Sequence, residues 1–170
     1  MSHSIWSDSL SIFSDSVAAT RPAPAGVAAA CVAANLGISL LIKTLAITGG
    51  QGELVDQARF EAAALRGAAD QDIGAVMEFI GSRNPAAARQ AIEAPLRAAR
   101  AAVAGLELCA KASVKPVLSA DLEAARALLA GALRAILICI DANLRGHENE
   151  HPDAAAERKA IEDRARVYSL

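Results

Sequence analysis

Residues 22–50 read PAPAGVAAACVAANLGISLLIKTLAITGG, and this stretch decides the fold. Pro22 and Pro24 make a rigid corner, because each ring fixes its own φ and disfavours helix in the residue before it. After Gly26, Asn35 and Ser39 are the only polar residues before Lys43. The run is apolar on nearly every side of a 3.6-residue helix, so other helices should surround it. Gly49-Gly50 stops it, because glycine takes positive φ without strain. The corner leaves unpaired backbone N–H groups at the helix start, an arrangement that attracts anions and carboxylates.

The rest of the composition agrees with that reading. Of 170 residues, 54% are hydrophobic but only 3% aromatic, so alanine and aliphatic side chains must build the core. Alanine is the best helix former, and its small side chain lets helices approach closely. The expectation is an all-α, single-domain bundle over residues 1–170, with about five long helices and a short C-terminal one. Residues 27–42 are shorter than the roughly 20 apolar residues of a membrane span, so no membrane partner is expected. A formal charge of −2 without a dense basic run argues against nucleic acid. Cys31, Cys109 and Cys139 are odd in number and lie in apolar surroundings, which suits free thiols in a reducing cytoplasm. The serine-rich start lacks the basic-then-apolar plan of a signal peptide.

Around the central helix, periodicity predicts the remaining elements. A first helix over about Ser4–Ala19 carries an apolar stripe of Trp6, Leu10, Phe13 and Val17. A third runs from about Glu53 to Ile80, with Phe60, Leu65, Ile73, Val76 and Phe79 facing inward. Asn84-Pro85 caps and starts a fourth that reaches Ala112 and contains Pro95, a residue that removes a backbone hydrogen bond and kinks a helix. Ser119 or Asp121 caps a fifth, lined by Leu128, Leu129, Leu133, Ile136, Leu137 and Ile140. A charged sixth, about Ala154–Tyr168, lies on the surface.

From Phe13 to Leu144 the chain resembles the formimidoyltetrahydrofolate cyclodeaminase and methenyltetrahydrofolate cyclohydrolase family. Pro22-Ala23-Pro24, with Asp15 ahead of it, is similar to the family's acid and Pro-Thr-Pro corner. Gly37 and Thr48 fall on its small packing residue and its Asn-Leu-Thr threonine, and Asp70-Gln71-Asp72 on its Asp-x-Asp. Glu93-Ala94-Pro95-Leu96 resembles its acid-Val-Pro-Leu kink, Ala120-Asp121 its Ser-Asp helix start, and Asn143-Leu144 its Ile-Asn-Leu ending. The chain departs from the pattern at Ala25 and Val27 (a glycine triplet), at Gln51-Gly52-Glu53 (a basic cluster), and at Ala46 and Cys139 (asparagines).

The resemblance implies an enzyme of folate one-carbon metabolism, a cyclohydrolase first and a cyclodeaminase second. Its substrate would be a tetrahydrofolate derivative, with no tightly bound cofactor and no metal, and the chain a homodimer or larger homo-oligomer. The alternatives are a non-catalytic helical binding or assembly module, or a same-fold enzyme with another substrate. Either folate reaction needs a carboxyl that moves protons. Asp72 and Asp121 are the catalytic candidates; Pro22, Pro24, Gly26, Lys43, Thr48 and Asp70 are the substrate-binding ones. Read without the family, Asp121 is a helix cap, Asp70 and Asp72 are solvated charges, and Lys43 snorkels from a helix end. His147-Glu148-Asn149-Glu150-His151 satisfies a zinc-protease pattern, but Gly146 and Pro152 bracket it, so it reads as a loop.

Overall fold

A computed structural model describes residues 4–82 and 85–168. A short 3₁₀ turn, Ile5–Ser7, precedes α1 (Leu10–Ala18), α2 (Gly26–Thr48), α3 (Gly52–Ser82) and α4 (Pro85–Lys111). A second 3₁₀ turn, Pro116–Leu118, leads into α5 (Ser119–Leu144), and α6 (Pro152–Arg166) follows. No strand occurs among the described residues, so the all-α expectation holds. The expected cap at Asn84 lies outside them.

The long helices α2 to α5 form an antiparallel bundle in which each packs on two neighbours. Alanine sets its spacing, as in the fully buried Ala58, Ala68, Ala98 and Ala102. The expectation that other helices surround α2 is corrected: its inner face buries Ala34, Ile38 and Leu41, but Leu36 and Ile47 on its outer face are half exposed, because it is one of four helices in a ring. Gly37 lets α5 come close: a Cβ there would stand 3.0 Å from the Ala125 carbonyl oxygen and 3.1 Å from Leu129. Gly49 and Gly50 end α2 with φ of 81° and 74°, the left-handed region that favours glycine.

Four contacts set the register of the bundle. Asn35 Nδ2 donates to the Ala62 carbonyl at 2.9 Å, which fixes α2 against α3. Gly26 meets Cys139, and Lys43 meets Asp121, which fixes α2 antiparallel to α5. Pro95 sits within α4 and has no N–H for the carbonyl of Ala91, one turn earlier. Asn143 Nδ2 donates to that carbonyl at 2.8 Å, so an α5 side chain replaces the missing backbone donor.

Several expectations are corrected. The first helix is two pieces, because Asp8 is extended and Ser9 caps a new helix by accepting from the Ile12 N–H. Its stripe is not buried: α1 has no buried residue, and Leu10 is 71% exposed. Neither Ser119 nor Asp121 caps α5, since Leu118 occupies that position after the 3₁₀ turn. Phe60, expected inside α3, is 72% exposed, and Leu128 also reaches the surface. The HExxH segment lies in turns between α5 and α6. The surface helix α6 is anchored by buried Ile161 and by Glu157, which pairs with Arg100 of α4.

Among the described residues, two segments are long and apolar enough to cross a membrane: Gly26–Thr48 and Pro116–Leu144. In the bundle they pack against each other, and half of the first is buried.

Candidate functional site

Asp72 is the one charged residue in the buried class among the described residues, at 3% exposure. Its neighbourhood follows from helix register. Moving back along α2 from Asn35 to Gly26 moves forward along the antiparallel α3 from Ala62 to the turn carrying Asp72. On the α5 side, a Cβ at Gly26 would stand 2.9 Å from Cys139 Sγ. The close backbone approach that Gly26 permits is therefore made by a thiol. Both Cys139 and Cys31, one turn further along α2, feel the Asp72 charge.

The electrostatics of this cluster are dominated by burial. No described residue hydrogen-bonds to the Asp72 carboxyl, and desolvation alone raises its pKa from 3.8 to about 6. Burial, with the charge of Asp72 and then Cys139 added, pushes the Cys31 thiol up to about 12. Cys139 moves in the same direction, through burial first and Asp72 second. These thiols stay protonated near neutrality and are poor nucleophiles. The carboxyl is the group able to exchange a proton there.

The start of α2 closes the cluster. Ala25 at the N-cap makes no side-chain hydrogen bond to the helix, and among the described residues no side chain bonds to its first N–H groups. Pro22, Ala23 and Pro24 lead into it, with a cis peptide between the last two. A helix start of this kind favours a negative charge nearby.

The other candidates fall into different roles. Lys43 Nζ donates to Asp121 Oδ2 at 2.7 Å, an exposed pair at the far end of the bundle. At 1.5 Å per residue that pair lies about 25 Å along α2 from Gly26. Asp72 and Asp121 therefore do not share a site within one chain. Thr48 Oγ1 accepts from the Lys115 N–H at 3.3 Å, which ties the end of α2 to the α4–α5 connection. Gln51, where the resembled family carries positive charge, clips to the same connection through both backbone groups of Ser113. Asp70 accepts from Ser4 Oγ at 2.7 Å and from the Ile5 N–H at 3.3 Å, and so anchors the N-terminal segment to α3.

Burial separates two acids only two positions apart. Of the large side chains expected on the inner face of α3, Leu65 is fully buried, Ile73, Val76 and Phe79 are half-buried and Phe60 is exposed. Ala58, Ala62, Ala69, Asp72 and Ala75 complete the buried face with Leu65. Asp72 lies in that alanine register, and a lone acid there was the available signal for a buried carboxyl. Cys139 had only its place on a family asparagine to mark it. Clefts of about 480 and 500 Å³ flank α6, and Asp72 lines neither.

Comparison with known proteins places this geometry. No protein of curated function shows a significant sequence match. The crystal structure of formiminotetrahydrofolate cyclodeaminase from Thermotoga maritima superposes with a TM-score of 0.89 at 17% identity. That likeness covers 96% of this chain and 92% of the other, and at this identity it speaks for the fold. The family model described as formiminotransferase-cyclodeaminase matches residues 78–162. The match takes in Pro95, Asp121 and Asn143 but stops short of Asp72. With half of its length matched, the chain belongs to the formiminotransferase-cyclodeaminase family.

Proposed function

We propose that the protein closes a formimidoyltetrahydrofolate to methenyltetrahydrofolate with loss of ammonia, and that Asp72 moves the protons. The observation that carries this reading is a buried carboxyl without a hydrogen-bond partner among the described residues, next to an uncapped helix start. Family membership supports the folate substrate class, and the Thermotoga maritima protein of the same fold is named a formiminotetrahydrofolate cyclodeaminase.

In this reaction the second amine of the folate attacks the formimidoyl carbon, and a C–N bond forms. The proton released by that amine passes to the Asp72 carboxylate. The formimidoyl group enters protonated, so the attack leaves an NH2 group on the carbon. Asp72 returns the relayed proton to that nitrogen, whose bond to carbon breaks as ammonia departs. The carbon is left as an amidinium between two nitrogens, facing a carboxylate again anionic and little screened by water. A pKa near 6 suits a group that must both take and give a proton near neutrality.

Cyclohydrolysis of methenyltetrahydrofolate is the second reading. Above pH 6 Asp72 is mostly ionised and suits the base that deprotonates an attacking water. We also infer self-assembly through α2 and α5, whose Leu36, Ile47 and Ile138 stand exposed.

The test supplies formimidoyltetrahydrofolate and follows ammonia together with the ultraviolet absorbance of the methenyl product. Wild type should yield both, and Asp72→Asn should lose at least about 100-fold in rate with helicity retained. Faster decay of supplied methenyltetrahydrofolate than in buffer would select the cyclohydrolase. Neither reaction from folded wild type would overturn the folate reading.

A further inference from the structure

The segment between the first 3₁₀ turn and α2 is fixed at both ends and buries no residue between them. At one end Ser4 and Ile5 bond to Asp70, and Trp6 Nε1 donates to the Arg66 carbonyl at 3.1 Å. At the other, the proline corner runs into Gly26, at the level of Cys139 and Asp72. Both anchors thus lie at the end of the bundle that holds the buried carboxyl. Between them α1 is a capped nine-residue helix with no buried residue. A helix so short is marginal in water unless its apolar face is covered. Leu10, Phe13 and Val17 recur at helical spacing on one face, and Leu10 and Val17 are exposed.

Asp72, by contrast, is only 3% exposed and lines none of the clefts found among the described residues, so a substrate as large as a folate reaches it only if a neighbouring element yields. The helices α2, α3 and α5 each contribute several buried side chains and are costly to move. The segment carrying α1 contributes none. We propose that residues 8–25 form a strap that opens to admit substrate to Asp72 and closes the apolar face of α1 over the substrate's ring system. This rests on the folate reading above. The stripe from Leu10 to Val17 is about 10 Å long, enough to cover a fused bicyclic ring. Closure would also exclude bulk water from the amidinium as it forms.

The test is hydrogen–deuterium exchange of the full chain, with and without 5-formyltetrahydrofolate as a stable probe, at two protein concentrations. Amides of residues 10–18 should slow when the probe binds, independently of protein concentration. Phe13→Ser, a change outside the core, should weaken binding about tenfold with unchanged circular dichroism. Trp6, the single tryptophan, reports the same event by fluorescence at the hinge. Binding without slower exchange in α1, or with Phe13→Ser indifferent, would overturn the strap while leaving the folate reading intact. Slowing that tracks protein concentration without probe would assign the apolar face to a second copy and also overturn the strap. If wild type does not bind the probe at all, the folate reading fails and the strap fails with it.

Discussion

Asp72 and Asp70 show how far burial changes one residue type. Asp70 caps a turn through two hydrogen bonds, whereas Asp72 is enclosed without one from any described residue. The stability consequence has a definite sign. Because the folded pKa is raised, the folded chain holds more protons than the unfolded chain between pH 3.8 and about 6. Stability is therefore greatest below the unfolded value and falls as pH rises through the folded one, by on the order of 3 kcal/mol if all the shift is expressed. Asp72→Asn should abolish that fall. Paired thermal melts at pH 4 and pH 7.5 should show the variant gaining on wild type at the higher pH. Gly26 is a second test at this scale. Gly26→Ala should change the melting stability by less than about 1 kcal/mol, because Gly26 is exposed, the Cys139 Sγ that stands 2.9 Å from an added Cβ can turn aside, and alanine is the better helix former.

Helices meet through features that a single helix does not reveal. Pro95 leaves the Ala91 carbonyl unpaired within α4, and Asn143 of α5 supplies the donor. Asn143→Ala should cost about 1 kcal/mol in a Pro95 background and markedly less in Pro95→Ala, where the backbone N–H returns. A denaturant double-mutant cycle measures that coupling, and strict additivity would show that the two residues act independently. Gly37 makes the matching point for α2 and α5. Gly37→Val should cost about 1–3 kcal/mol or more, because the added atoms meet the Ala125 carbonyl as well as Leu129.

Across the whole molecule, the far end of the bundle is held by polar ties and the near end carries the buried acid. Lys43–Asp121, Thr48–Lys115 and Gln51–Ser113 join the α2 end to the α4–α5 connection. Asp121→Asn should therefore leave turnover within about threefold of wild type and change stability by less than about 1 kcal/mol, as an exposed ion pair does. A loss of activity comparable to that of Asp72→Asn would instead return Asp121 to the chemistry. Ile138→Ser on the exposed face of α5 should shift sedimentation towards a smaller species if α2 and α5 mediate self-assembly.

The sequence by itself determined what depends on local chemistry and periodicity. An apolar run between a proline corner and two glycines must be a long bundle helix, and an alanine-rich, aromatic-poor chain must pack close helices. Gly37 and Pro95 could be read the same way, because their effects begin in their own helix. Tertiary structure decided which faces meet. It placed Asp121 on Lys43 and away from Asp72, set Cys139 against Gly26, and gave Asn143 to Ala91. It also kept Leu65 on the inner face of α3 but filled the rest of that face with alanines, turning Phe60 outward and burying Asp72. The reason is geometric: periodicity marks the sides of one helix, but the partner of each side depends on register between helices far apart in the chain.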